Sequence, residues 1–343
     1  MNPFEFIALL NAISYMNQPT TFLLELFFKL VPPHPTKTVM VDIERGGESM
    51  AVFVSPLHEG HVVKKNGYIT DTFEPAYIKE KIPFTPDDLL VRQPGEVLFA
   101  PNQDQSDRLN LLVAKNLLIL MKRIIRREEW MASQALTLGQ MNVVGDGINR
   151  NINFNMLPTH LPVLAGNSIW TDLVNADPQA NLSTWIDLIL DDSGLNADKV
   201  VMGSAAIRSF LNHPKIKEVL NNRRMNIGDI TPQLKNNGAQ KIADWYDPNC
   251  EIWTYSGKYI DPATGNRMNL LPPNAVLIGS SAARCERHFA VIQDLKAKVN
   301  AALQFFPKTW ETEDPSALWL MLQSAPLPIP HQIDGFVCAT VQP

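Results

Sequence analysis

Cysteine is scarce. Only Cys250, Cys285 and Cys338 occur in 343 residues, an odd number with no CxxC pair. That excludes a disulfide framework and a thiolate zinc site, and it points to folding in a reducing compartment. Positive charge is also thin: Lys and Arg number 30 against 35 Asp and Glu, for a net charge of −5. Tight binding through nucleic-acid phosphates needs clustered cations that displace counterions, so it is not expected. No Lys or Arg precedes Lys29, so the apolar start (Phe4, Phe6, Ile7, Leu9, Leu10) lacks the positive region of a secretory signal. The apolar run at 22–30 carries Glu25 and Lys29 and is too short to span a bilayer. A soluble chain made in the cytoplasm, with no membrane partner, is expected.

Catalytic signatures are missing as well. The histidines are scattered at 34, 58, 61, 160, 213, 288 and 331. His58-Glu59-Gly60-His61 is the tightest group, but a zincin needs HExxH on a helix, with both imidazoles on one face. The spacing here is three, with Pro56 and Gly60 alongside, so a solvated loop is expected. There is no GxxxxGK(S/T) loop and no GxSxG elbow, and Gly145-x-Gly147 lacks the third glycine of a dinucleotide turn. Asp191-Asp192, before Ser193-Gly194, reads as a solvated helix exit. No catalytic residue, metal or cofactor is expected, and the chain does not read as an enzyme.

What is present is an ordinary globular composition, 45% hydrophobic and 19% charged. The length allows one large domain or two to three smaller ones. Prolines number 26 and cluster at Pro32, Pro33 and Pro35, at Pro83, Pro86 and Pro94, and at Pro326, Pro328 and Pro330. Each cluster removes backbone donors and forbids helix, so the clusters read as joints. Pro32, Pro35, Pro83 and Pro94 are the hinge candidates.

Residues 1–45 read as an arm. Thr20 and Thr21 are placed to cap a short helix over 22–30, stopped by the Pro32 cluster. Its faces are nearly all apolar (Phe22, Leu23, Leu24, Leu26, Phe27, Phe28), so it must dock on the rest of the fold or on another subunit. Residues 46–92 read as a long β-excursion. A strand over 50–54 is followed by Val62-Val63 and Tyr68-Ile69-Thr70 flanking Lys64-Lys65-Asn66-Gly67, where Asn-Gly signals a hairpin. Phe73, Tyr77 and Ile78 follow around Pro75. The clearest helix covers 104–136, with Leu109, Leu112, Val113, Leu117, Leu120, Met121, Ile124, Met131 and Ala135 at helical spacing and Gly139 just beyond. Within it, Lys122-Arg123 and Arg126-Arg127 precede Glu128-Glu129. They read as a solvated or ion-paired face, with subunit contact as the competing reading.

Strands are expected at 141–144 and 152–156, around the turn-prone Gly145-Asp146-Gly147. Helix and strand then alternate: helices at 183–190, 204–211 and 216–221, strands at 200–202, 251–255 and 275–278. This pattern predicts a mixed α/β region inside an α+β chain. The stretch 316–342 is apolar and β-rich with Pro breaks. Asn181-Leu182-Ser183 matches a glycosylation sequon, which is incidental without a signal peptide.

Several segments, taken in order, resemble the major capsid proteins of lambda-type tailed bacteriophages. They are Leu24-Glu25-Leu26-Phe27-Phe28, Met50-Ala51-Val52-Phe53-Val54-Ser55-Pro56 and Phe73-Glu74-Pro75-Ala76-Tyr77-Ile78-Lys79. Stronger are Asn269-Leu270-Leu271-Pro272-Pro273-Asn274 with Val276-Leu277-Ile278-Gly279, then Phe306-Pro307-Lys308-Thr309-Trp310, Asp314-Pro315 and Gln323-Ser324-Ala325-Pro326-Leu327. The region 140–250 is the most divergent.

The resemblance implies the tailed-phage capsid fold. Residues 1–45 would be the N-arm and 46–92 the extended β-hairpin loop. Residues 93–165 would be a peripheral domain with its spine helix, 166–315 an axial domain, and 316–343 a return to the peripheral domain. It implies an icosahedral shell of hexamers and pentamers of this chain around double-stranded DNA, a loosely held neighbour. A separate scaffolding protein is implied, since only about twenty residues precede the arm helix, together with a portal protein and a decoration protein. It also implies a chain that sits in the virion and is in the host cytoplasm during assembly. Inter-subunit contacts are then expected at Phe22, Leu26, Phe27, Phe28, Lys64, Lys65, Tyr68, Phe73 and Tyr77. Lys64 and Lys65 are placed for the loop cross-link some relatives make, which lambda-type shells replace by decoration. A nanocompartment shell with the same fold and an unrelated soluble α/β enzyme are the alternatives.

Overall fold

A computed structural model describes residues 6–16, 21–44, 59, 68–85, 88, 105–221, 238–246, 249–294, 299–314 and 317–343. The α-helices are α1 (Phe6–Tyr15), α2 (Leu23–Phe27), α3 (Gln105–Leu138), α4 (Pro178–Ser193), α5 (Ser204–Asn212) and α6 (Pro214–Asn221).

α3 is the spine. Its 34 residues make a rod about 50 Å long, and it ends at Gly139, whose φ of +64° is the left-handed cap expected there. The predicted apolar stripe is buried from Leu112 to Leu136. The first half packs with Leu9 and Ile13 of α1 and with Phe84, Leu320 and Leu322. Farther along, Met131 and Ala135 face one cluster while Ala132 and Leu136 face another. One helix thus joins three separate cores.

The main sheet has five strands in the order Phe336–Thr340, Ala275–Gly279, Lys199–Met202, Asn249–Tyr255, Ala239–Tyr246. Only Lys199–Met202 with Asn249–Tyr255 is parallel. Alternation along the strands divides the core. Val200, Met202, Val276 and Ile278 meet α4, α5 and α6 through Trp185, Ile189, Phe210 and Ile216. Val201 and Leu277 face the other way, toward α2 and the end of α3. A sheet covered on both faces explains why these strands read as unbroken apolar runs. The helices and strands expected between 183 and 278 all occur, extended by a few residues.

Pro83 and the run Pro326, Pro328 and Pro330 lie in strands and not at joints. Pro326–Pro330 is an edge strand, paired antiparallel with Cys285–Phe289. Prolines spaced by two put every missing N–H on the open edge, while Leu327 and Ile329 keep theirs for the ladder. Pro83, expected as a hinge, lies inside Ile78–Phe84, opposite Trp319, and that strand too is the edge of its sheet (Phe306–Thr312, Ala317–Ser324, Ile78–Phe84). A residue locked in a ladder cannot serve as a hinge. Pro32 and Pro35 do lie in an exposed connection between the short strand Lys29–Leu30 and Val39–Glu44. Pro94 lies outside the described residues.

Two sets of strand pairings run across the expected boundaries. Tyr68–Phe73 pairs with Val39–Glu44, from the expected arm; the hairpin expected across Asn66-Gly67 lies outside the described residues. The loop tip itself, with Lys64 and Lys65, the strand at 50–54 and His58, Gly60 and His61, falls outside the described residues. The 316–343 stretch divides: Ala317–Ser324 joins Ile78–Phe84, but Phe336–Thr340 closes the five-stranded sheet. Strand pairing is decided by long-range register, which no local signal carries.

Candidate functional site

The arm helix shows how the fold assigns its apolar residues. Phe22 lies 5.0 Å from Tyr255 and 5.4 Å from Trp253, and Phe27 meets Phe336 edge-on at 5.1 Å. Phe22, Leu23 and Leu24 are fully buried, and Phe27 and Phe28 nearly so. Phe22, Phe27 and Phe28 were expected between subunits; they instead complete this chain's own core. A helix of five residues has no interior of its own, so its large side chains insert between spine and sheet. Leu26 is half-buried at the margin of the same cluster.

Capping also differs from expectation. The cap position of α2 is Phe22, with no side-chain bond, and not Thr21; Thr20 lies outside the described residues. The Glu129 carboxylate of the spine does this work, accepting from the N–H groups of Phe22 (3.1 Å), Leu23 (2.8 Å) and Leu24 (3.1 Å). The Tyr255 hydroxyl donates to it at 3.0 Å. Burial raises the Glu129 carboxyl above its usual range, and the backbone donors and Tyr255 pull it back. Its neighbour Glu128 takes a bidentate pair from Arg287, Nε at 2.8 Å and a terminal nitrogen at 2.9 Å. Glu128 and Glu129 are only 1% and 2% exposed, so the expected solvated face ends one turn earlier. On that earlier turn Lys122 and Arg126 are exposed and Arg123 pairs with Glu80 at 3.0 Å.

The remaining expected contact residues are dispersed. Phe73 is half-buried, 5.8 Å from Phe154. The Tyr77 hydroxyl donates to the Val291 carbonyl at 2.9 Å, and its ring packs beside Ile292 and Phe306. Tyr68 is the backbone register partner of Glu44. Asp192, expected in solvent, lies 2.8 Å from Nε2 of the buried His160, whose Nδ1 lies 2.7 Å from the Phe336 carbonyl oxygen.

Exposed apolar side chains occur singly on the helices (Tyr15, Leu111, Ile119, Leu138, Leu190) and on Leu30, and the others lie on two-stranded ribbons and one loop. Met40 is on the ribbon Val39–Glu44/Tyr68–Phe73, Val144 on Gln140–Gly145/Ile148–Asn153, and Ile260 and Met268 on Lys258–Ile260/Arg267–Asn269. Val163, Leu173 and Val174 line the irregular segment before α4, with Val174 at 82% exposure. Single exposed apolar residues are normal. Two-stranded ribbons are marginal alone, however, so several that each carry apolar side chains make a candidate contact surface.

Sequence reasoning missed two arrangements: the Glu128–Arg287 and Glu129 anchors, and a cluster of His34, His288, His331 and Glu286. His288 Nδ1 lies 2.7 Å from His34 Nε2 and His288 Nε2 lies 3.2 Å from His331 Nε2. Burial, reinforced by the two neighbouring imidazoles, pushes His288 down to about 4. With separations of 254 and 43 residues, no spacing rule could have found the group.

Comparison with solved structures defines the class. The chain matches a prophage capsid protein from E. coli CFT073 with a TM-score of 0.76 at 20% identity, over 98% of each chain. A phage-related protein from Bordetella bronchiseptica matches at 0.52 with 14% identity, over 98% of this chain and 96% of that one. The fold is therefore the tailed-phage major capsid fold. The family model described as phage major capsid protein E matches residues 6–341, and the chain belongs to that family. It is 29% identical to the major capsid protein of Escherichia phage lambda over 330 residues, 92% of each chain. It is 28% identical to that of Enterobacteria phage P21 over 339 residues, 96% of this chain and 97% of the relative.

Proposed function

We propose that this chain is the shell subunit of a phage head, assembling with copies of itself into a closed icosahedral capsid around double-stranded DNA. The family match over residues 6–341 carries this reading. The ribbons and the 163–174 segment supply the contact surfaces. Their apolar side chains gain burial only from neighbours, at roughly 25 cal/mol per Å² in each repeated contact. Heterologous contacts of this kind close into rings when the rotation permits. The chain acts by assembly and not by catalysis. A scaffolding protein sets curvature before DNA enters, a portal protein occupies one vertex, and a decoration protein takes the place of a Lys64 or Lys65 cross-link. With a net charge of −5, packaged DNA is a loosely held neighbour. Assembly takes place in the host cytoplasm and the product is a component of the virion. Pro32 and Pro35 are the hinges that let the arm adjust as the shell changes packing.

Electron microscopy of the full chain co-expressed with its scaffolding protein tests this. Closed shells or curved capsomer sheets are the expected products. A species that stays monomeric by light scattering with that partner present overturns the reading.

A further inference from the structure

Glu286 and His288 are two residues apart on the strand Cys285–Phe289, so both side chains leave one face. His331 follows the neighbouring strand Pro326–Pro330, and its N–H donates to the Arg284 carbonyl at 2.9 Å, which returns it to that face. Three ligand atoms converge there. His288 Nε2 and His331 Nε2 are 3.2 Å apart, and Glu286 Oε2 lies 3.4 Å from the first and 3.2 Å from the second.

These separations match a coordination edge. A tetrahedral zinc ion with bonds of about 2.0–2.1 Å holds its ligand atoms about 3.3–3.4 Å apart. A single proton between the imidazoles would serve only one of the three pairs. One divalent cation serves all three lone pairs at once.

The surroundings are built in the same sense. A ligating histidine normally donates its second N–H to an acceptor that fixes tautomer and ring plane. His288 Nδ1 has such a partner in His34 Nε2 at 2.7 Å. The His34 backbone is itself anchored, its amide N–H donating to the Phe289 carbonyl at 2.8 Å. Arg284 Nε holds the other Glu286 oxygen, Oε1, at 3.0 Å, which leaves Oε2 turned to the imidazoles. The His288 and His331 side chains are 5% and 7% exposed but Glu286 is 19% exposed, so the pocket is dry on the imidazole side and has an entry beside the carboxylate.

We propose that Glu286, His288 and His331 form a zinc-class divalent metal site, with His34 as the group that orients His288 and a fourth position open to water. Two imidazoles and a carboxylate suit zinc better than magnesium or calcium, which prefer all-oxygen sets. The ion would tie Cys285–Phe289 to the end of Pro326–Pro330, directly beneath the Pro32–Pro35 connection of the arm. This inference does not depend on the capsid reading.

Equilibrium dialysis of the purified full chain against Zn²⁺, followed by metal analysis, tests it. One zinc per chain is expected, lost in Glu286→Gln and in His331→Gln, and bound about 10- to 100-fold more weakly in His34→Ala. A folded wild-type chain without stoichiometric zinc overturns the proposal, and so does zinc retained by both Gln variants. Should either variant fail to fold by circular dichroism, Co²⁺-loaded wild-type protein decides. The intense visible bands of a four-coordinate ion support the site, and only the weak spectrum of a six-coordinate ion overturns it.

Discussion

Glu129 links the arm to the spine through one side chain. Its carboxylate satisfies three N–H groups at the start of α2 and the Tyr255 hydroxyl. Glu129→Ala leaves those buried donors unpaired and is expected to cost about 3 kcal/mol in denaturant unfolding, with Glu129→Gln recovering part of that. Glu251 supplies a pH signature. Burial opposes its ionisation, but Lys199 at 2.9 Å, the Trp253 indole N–H and Lys241 outweigh it and hold the carboxyl down to about 2, from an ordinary 4.5. A carboxyl depressed in the folded state stabilises above its unfolded pKa and loses that contribution as pH falls through the folded one. The group is partly exposed, so its share discounts to about 1 kcal/mol. Glu251→Gln should be less stable than wild type by that amount at pH 7, and the gap should close between pH 4.5 and 2. The three cysteines are buried and free, and burial pushes Cys250 and Cys338 up to about 12 and raises Cys285 as well. Native protein should therefore resist thiol reagents at pH 8 and titrate three thiols once unfolded.

At the scale of elements, α3 was legible because its signals are local: an apolar stripe and a terminal glycine. The arm helix was half legible. Its apolar excess demanded a partner, but only the packing revealed that the partner is Glu129, Trp253, Tyr255 and Phe336 of the same chain. The loop was least legible, because Tyr68–Phe73 found its partner in Val39–Glu44, across 23 intervening residues that hold a stronger local turn signal. Glu44 and Tyr68 are direct register partners, so residues 45–67 leave and re-enter at adjacent points. Replacing them by Asn-Gly should give a chain that folds with little change in thermal midpoint yet fails to form shells. Normal shells in electron micrographs would remove 45–67 from the assembly surface.

For the whole molecule, stability should be uneven. Lys199–Met202 and Ala275–Gly279 are flanked by strands and covered on both faces, whereas among the described residues Lys258–Ile260 and Arg267–Asn269 pair only with each other. Amide exchange on the unassembled chain is expected to be slowest in the first pair and fastest in the second. In the assembled shell, protection should rise most on the ribbons at 140–153 and 258–269.

The sequence by itself determined the elements of the α/β region, the long spine with its glycine cap, the absence of a disulfide framework and of recognisable catalytic motifs, and the likeness to phage capsid proteins. These rest on composition, period and local order. Tertiary structure alone decided which apolar residues are interior, which proline runs are edge strands, where Glu128 and Glu129 point, and which histidines meet. Burial and pairing between residues 43 to 254 positions apart depend on how the chain closes on itself, and no local pattern encodes that closure.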